Sequence, residues 1–483
     1  MDMGNVWDGR IYSGGFVAGG AGTLDVVAPA TGAVIATVGQ ADAGDLERAV
    51  ASAKAAQPAW AALPYTERAA VMTKAAALLA AEPERLAGWL VPEAGSGQGK
   101  AGFETMLATS ELSAAAALAA QPYGQMLRSM KPRVSIGRYV PVGVVGVISP
   151  FNFPAILSMR SVAPALAVGN AVILKPDPRT SISGGLALAE LFAEAGLPEG
   201  LLHVLPAGAD VGAALVAHPD VPCLSFTGST AAGRKIGEAA GPLLKKVHLE
   251  LGGNNALLVM PDADIDAAAS AGAWGSFLHQ GQICMTTGRH LVPNSMVEEY
   301  ATKLAEKAKQ IPVGDPTDPA NALGPIIDER QLTKVHEIVE STVAAGARLL
   351  EGGTYEGLFY RPTVLADVPL DSPAFCEEIF GPVAPVVGYD TLDEAIDIIN
   401  SSEYGLSVSI LTANPFMAFE LADRIKSGAV HINDQTVDDE AAAPFGGAKA
   451  SGVGGHFGAS VNLDTFCDVQ WVTIQGDIER YPF

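Results

Sequence analysis

Short apolar runs alternate with longer alanine-rich stretches over most of the chain, the pattern of buried strands separated by helices. Val142 to Ser149, Ala171 to Leu174, Leu201 to Leu205 and Cys223 to Phe226 read as buried strands. Ser183 to Ala195 reads as a crossover helix ended by Gly196, and strand, helix, strand within about thirty residues is the unit that builds parallel sheets. Leu46 to Ala62 and Thr66 to Leu90 read as helices, the second preceded by Pro64, and Ala231 to Ala240 as another. Arg133 to Val140 and Asp468 to Gln475 alternate as half-buried strands do. The expected fold class is a doubly wound α/β protein with a small β extension. Gly14, Gly15, Gly19, Gly20 and Gly22 precede the strand-like Leu24 to Val27 with no helix after it, so they read as a loop or hairpin and not as a phosphate cradle.

Composition narrows the class. With 483 residues, 49% hydrophobic and 17% charged, the chain has length for two or three domains with well-buried cores. Lys and Arg total 30 against 53 Asp and Glu, and the net charge of −23 argues against nucleic acid or an anionic membrane surface as partner. Cys223, Cys284, Cys376 and Cys467 lie far apart, so neither a metal site nor a disulfide framework is expected. Met1 to Asn5 carries no basic stretch followed by an apolar one, and no apolar run approaches the roughly 20 residues needed to span a bilayer. A cytoplasmic protein is the expectation.

Candidate chemistry sits in three runs. Cys284 lies in Gln280-Gly281-Gln282-Ile283-Cys284-Met285-Thr286-Thr287-Gly288-Arg289, Glu250 opens Glu250-Leu251-Gly252-Gly253-Asn254-Asn255, and Asn152 is central in Pro150-Phe151-Asn152-Phe153-Pro154. A thiol, a carboxylate and an amide with N–H groups for an oxyanion are parts for acyl chemistry. The eight histidines offer no rival: His248 lies two residues before Glu250, but no HExxH or paired Cys and His spacing appears. A cysteine hydrolase is the competing reading of Cys284 alone.

With Lys175-Pro176, Phe226-Thr227-Gly228-Ser229-Thr230, Glu377-Glu378-Ile379-Phe380-Gly381-Pro382 and Pro444-Phe445-Gly446-Gly447, these runs cover nearly the whole chain and resemble the NAD(P)-dependent, non-acylating aldehyde dehydrogenases. The resemblance implies a Rossmann-type cofactor domain from residues 1–121 and 142–252, a thiol-bearing α/β domain over 253–452, and a bridging segment from 122–141 and 453–483 shared between subunits of a homodimer or dimer of dimers. It implies that Cys284 adds to the aldehyde carbonyl, that Asn152 and the Cys284 N–H hold the oxyanion, that hydride leaves to the nicotinamide, and that Glu250 activates the water that cleaves the thioester. For the dinucleotide it implies Ser149, Lys175, Asp177, Arg179, Gly228, Ser229, Gly252, Glu378 and Phe380, without a GxGxxG fingerprint.

One departure concerns the cofactor. Many NAD-preferring members carry Glu three residues after the lysine, whereas here Lys175-Pro176-Asp177-Pro178-Arg179 puts Pro178 in that place, leaving NAD and NADP equally open. For the substrate, Ile432 to Glu440 and the Pro444 run resemble benzaldehyde and vanillin dehydrogenases, with Phe153, Leu157, Ile283 and Phe445 as pocket walls. A cation such as Arg160 in that pocket would raise a carboxylate-bearing semialdehyde. The alternatives are an aliphatic or semialdehyde dehydrogenase and a CoA-acylating relative; Glu250 favours release of the thioester to water.

Overall fold

The computed structural model describes residues 6–483. The N-terminal five residues, read above for a leader, lie outside it. Apolar strands, buried on both faces at the centre and exposed at the edges, assemble into an eight-stranded sheet in the order Phe16–Ala18, Arg10–Ser13, Leu202–Val204, Ala171–Lys175, Val144–Ile148, Cys223–Thr227, Lys246–Glu250 and Gly452–Val453. The five inner strands run parallel and the outer ones antiparallel. Chain order reverses at Val144–Ile148, which pairs with Ala171–Lys175 on one side and Cys223–Thr227 on the other. That reversal opens a crevice beyond the strand ends, where open α/β sheets bind ligands.

A second, seven-stranded sheet has the order Arg348–Glu351, Thr363–Ala366, Val383–Tyr389, Thr287–Pro293, Asn255–Val259, Ser407–Leu411 and Ala429–Ile432, parallel except for its first strand. A third sheet pairs Cys467–Ile474 with Val134–Pro141, and Val134–Pro141 with Gly124–Met126, all antiparallel. It leaves Met126, Val469, Trp471 and Ile474 exposed. Among the described residues no helix is long and apolar enough to cross a membrane.

Local chemistry explains where elements depart from the sequence expectation. The helix expected over Thr66 to Leu90 is two, Tyr65–Ala81 and Glu84–Ala94, because Pro83 keeps Glu82 out of the helical region at φ −134 and ψ 68. The crossover helix begins as a π-helical turn, Ile182–Leu186, before Ala187–Ala195, and ends at Gly196 with φ 93. Its start is held by the buried Glu93, which accepts from the Ile182 and Ser183 N–H groups at 2.8 and 2.7 Å; burial pushes this carboxyl up to about 7. The N-terminal glycines form the expected hairpin, with Gly14 and Gly15 at positive φ between Arg10–Ser13 and Phe16–Ala18.

A buried ion pair fixes the turn that carries Asn152. Lys100, on the helix Gln98–Ala119, donates to Glu104 at 2.5 Å, to Ser96 at 3.0 Å and to the Asn152 carbonyl at 2.7 Å, with Nζ 4.1 Å above the Phe153 ring. The other Glu104 oxygen accepts from Ala155 and Ile156 N–H at 2.8 and 3.2 Å, capping the helix Pro154–Ala167 from outside its own chain segment. Burial pulls the Lys100 ammonium below its usual range, against the opposing pull of Glu104. Removing one member strands the other without a partner. Glu104→Ala is expected to lower stability by about 3–5 kcal/mol, and the double change Lys100→Met with Glu104→Leu by less than the single one. Denaturant unfolding of the three proteins checks the order.

Candidate active site

Cys284 stands on a loop with an unusual backbone. After the helix Ile265–Phe277, His279, Gln280 and Gly281 adopt φ of 49, 56 and 64, a left-handed run that costs roughly 1–2 kcal/mol per non-glycine residue. Gly281 has no alternative, since a Cβ there would come 2.1 Å from the Gly381 carbonyl oxygen. Asn255 ties the loop down. Its amide donates to the Cys284 and Thr286 carbonyls, both at 2.8 Å, while its oxygen accepts from Ser407 N–H at 3.0 Å. The loop's apolar residues Ile283 and Met285 pack into the core of the first sheet, and Cys284 packs against the same core.

Asn152, expected beside the sulfur, lines the same two cavities as Cys284. One of its amide N–H groups donates to the Gln282 carbonyl at 2.8 Å, which orients the side chain and leaves the second N–H for another acceptor. Glu250 is buried, and both oxygens are engaged: one with His248 Nε2 at 3.0 Å, the other accepting from Gly447 N–H at 3.2 Å. Its carboxyl lies above the usual range because of burial, with His248 opposing. Burial also pushes the Cys284 thiol up to about 12, reinforced by the Glu378 and Glu250 charges and opposed by Arg160. Thiol, amide and carboxylate, drawn from three separate runs of the sequence, are neighbours in the fold.

One cavity runs from Cys284 and Asn152 past Leu251, Gly252, Gly228, Ser229, Glu378 and Phe380. It shares Phe151, Ser229, Gln331 and Lys334 with a larger cleft that holds Lys175, Asp177 and Arg179. Ser229 caps the helix Thr230–Ala240, its hydroxyl accepting from Ala232 N–H at 3.3 Å, so the N–H groups of the first turn face the crevice where an anion would lie. Gly252 makes room for Glu378, whose carboxyl oxygen would be 2.3 Å from a Cβ at that position and which accepts from Gly253 N–H at 3.2 Å; burial raises Glu378 to about 7. A continuous groove with a helix N-terminus, a buried lysine and a carboxylate fits a dinucleotide.

Three expected residues need qualification. The Ser149 side chain is not brought to these walls: its buried hydroxyl bonds to that of Ser158 at 2.7 Å, and Ser158 donates its own proton to the Gly184 carbonyl. Asp177 and Arg179 reach the groove already paired, with guanidinium bonds to Asp177 at 2.9 Å and to Asp328 at 2.6 Å, and Arg179 lies 4.1 Å over Phe151. The sequence reading missed Asp328, Gln331 and Lys334, which lie on or just before the helix Glu329–Ala344 and carry no motif of their own. Lys334 donates to the Glu378 carbonyl at 2.7 Å.

A third cavity opens on the other side of Cys284 and brings together all four expected walls, Phe153, Leu157, Ile283 and Phe445. Phe103, Leu107 and Ile156, which no motif signalled, extend the apolar lining with Met285 and Val437. Arg160 does line this cavity, but its charge is compensated: its guanidinium bonds to Asp439 and lies 3.5 Å from Glu111. The condition that would favour a carboxylate-bearing aldehyde is thus met by position and cancelled by charge.

Comparison with known proteins agrees with this geometry. The aldehyde dehydrogenase family model matches residues 16–472. The chain is 55% identical to the vanillin dehydrogenase of an Amycolatopsis species, covering 99% of this chain and 98% of that one. It is 48% identical to the NAD(+) benzaldehyde dehydrogenase of Pseudomonas putida, again over 99% and 98%. Among solved structures, the NAD-dependent aldehyde dehydrogenase of Sinorhizobium meliloti superposes with a TM-score of 0.95 at 35% identity, covering 98% and 96%. A thiol between a dinucleotide-shaped groove and an apolar pocket, on a chain matched nearly end to end, belongs to the aldehyde dehydrogenase family.

Proposed function

We propose that this protein oxidises aromatic aldehydes to carboxylic acids with NAD or NADP. The observation that carries this reading is the pair of cavities meeting at Cys284 and Asn152, one a groove fit for a dinucleotide, the other walled by Phe103, Phe153 and Phe445. Flat rings pack well against such walls. The vanillin and benzaldehyde dehydrogenases among its relatives support the same substrate class.

In the proposed chemistry the Cys284 thiol gives up its proton to water, the thiolate sulfur bonds to the aldehyde carbon and the carbonyl π pair moves onto oxygen as an oxyanion, held by the second Asn152 N–H and the loop backbone. A bound nicotinamide supplies the hydride acceptor. Lys175, Ser229 and Glu378 hold the dinucleotide, Glu378 through its ribose hydroxyls. The resulting thioester is cleaved by water that Glu250 deprotonates, for which Glu250 must exchange its contacts with His248 and Gly447. Pro178 leaves no carboxylate at its position, and Arg179 is shared by two aspartates, so Arg179 offers a 2′-phosphate little uncompensated charge. NAD is then the better substrate and NADP is tolerated. Residues 1–121 with 142–252 carry the cofactor, 253–452 the thiol, and 122–141 with 453–483 the contacts of a homodimer or dimer of dimers. The exposed apolar residues on the Cys467–Ile474 strand support that last assignment. Its free cysteines suit a cytoplasmic setting.

Reduced-nicotinamide absorbance with benzaldehyde and hexanal, each with NAD and NADP and with or without CoA, is expected to give turnover with benzaldehyde that needs no CoA; a requirement for CoA would overturn the hydrolytic reading. Cys284→Ala should abolish turnover and retain cofactor binding, and Glu250→Gln should give one burst of reduced cofactor and then stall. A thiol near 12 predicts that alkylation of the Cys284 peptide, followed by mass spectrometry in the enzyme without cofactor, rises about tenfold per pH unit from pH 7 to pH 10; a rate already flat at pH 7 would mean a standing thiolate. Asp328→Asn, which removes one charge from the Arg179 cluster, should raise the NADP to NAD ratio of kcat/KM about fivefold, the effect of roughly 1 kcal/mol between unit charges about 4 Å apart in water.

A further inference from the structure

The pocket beyond Cys284 is apolar apart from Asn152 at the sulfur and one polar group at its other end. That group is Arg160 with Asp439. Arg160 is 2% exposed, lies 4.8 Å over the Phe445 ring and 5.5 Å over Phe457, and uses one guanidinium nitrogen for both Asp439 Oδ2 and Glu111. Asp439 also lines the outer mouth with Phe103, Leu107, Asp438 and Glu440, so its carboxylate stands at the junction of pocket and solvent.

Two buried polar atoms there have no partner: Asp439 Oδ1 and Arg160 Nε. A carboxylate oxygen shielded from water without a donor costs on the order of 1–3 kcal/mol, a penalty that a ligand bringing the missing donor relieves. The other pocket walls are carbon apart from Asn152, whose remaining N–H lies at the sulfur. Arg160 serves Asp439 only through Oδ2, so Oδ1 is open to a donor on the substrate. A carboxylate on the substrate would meet Asp439 and Glu111 with Arg160 already neutralised, which excludes carboxylated aldehydes. A hydroxyl on the ring, away from the aldehyde, has the right chemistry.

We propose that Asp439 is a specificity-determining residue, positioned by Arg160, whose Oδ1 accepts a hydrogen bond from a hydroxyl on the aromatic ring of the substrate. This rests on the aromatic-aldehyde reading above and narrows it to phenolic aldehydes. A site built to accept from a hydroxyl rejects the analogue without one, because its buried acceptor is then left unpaired.

The test compares kcat/KM for 3- and 4-hydroxybenzaldehyde with the methoxybenzaldehyde of the same ring position, a control that keeps the electronic effect of the oxygen and removes the donor. Wild type is expected to favour the hydroxy compound about ten- to a hundredfold at one ring position or both. Asp439→Ala should bring that ratio to about one, and Asp439→Asn, which keeps an oxygen acceptor, should retain part of it. The ratio does not depend on the fraction of folded enzyme, so partial misfolding does not blur it; binding of the same pairs to Cys284→Ala by calorimetry reads the preference without turnover. The preference should also fall as pH rises through the phenol's own pKa, since a phenolate has no proton to donate and is repelled by Asp439. A wild-type ratio near one, or a ratio unchanged in Asp439→Ala, overturns the role of Asp439 while leaving aromatic oxidation standing. Absence of turnover with every benzaldehyde overturns both.

Discussion

The active-site region depends on one buried ion pair, Lys100 with Glu104, placed beneath the turn that carries Asn152. The pair lies on a helix that contributes no motif, yet it grips the turn at its carbonyl and caps the helix that follows. A turn between a strand and a helix is held only at its ends; a charged group bonding to its middle fixes the amide to a far smaller volume. Such fixing matters because an oxyanion donor acts through placement, not strength. The desolvation of both charges is the cost of that placement, and it is offset only while both partners and their hydrogen bonds are present.

The sulfur sits in an electrostatic setting that disfavours its own ionisation. Burial, Glu378 and Glu250 all raise the thiol, and Arg160 alone among the main contributors opposes them, with its own charge compensated by Asp439 and Glu111. A resting thiol in this state is protected from oxidants and alkylating agents, since only the thiolate reacts quickly. Glu250 is held by His248 and the Gly447 N–H, away from the walls of both cavities that contain the sulfur. The base is therefore close but not committed, which suits a residue needed only after the thioester has formed.

The two sides of Cys284 are built by different means. The groove side is backbone and charge: a helix start at Ser229, the glycine at 252 that admits Glu378, and a strand-end lysine. The pocket side is side-chain carbon from the helices Gln98–Ala119 and Pro154–Ala167 and from the 437–445 segment, closed by one ion pair. The first can serve any member of a dinucleotide class; the second sets which aldehyde fits.

Much of this was legible in the sequence because the determinants are local. Apolar runs located four of the five inner strands of the first sheet, Gly196 ended the crossover helix, and the motif runs singled out Cys284, Glu250 and Asn152 as residues that the fold makes neighbours. Pro83 was equally visible, and its break in the helix was overlooked because alanine-rich periodicity continues on both sides of it. What the sequence could not supply were pairings across long separations. Ser149 bonds to Ser158 instead of facing the groove, Arg179 is shared by Asp177 and Asp328, and Arg160 is neutralised by Asp439. A side chain's type fixes what it can donate or accept, so the chemistry of the chain was determined by sequence alone; which donor meets which acceptor, and which is left without one, depends on distances that only the packed tertiary structure sets.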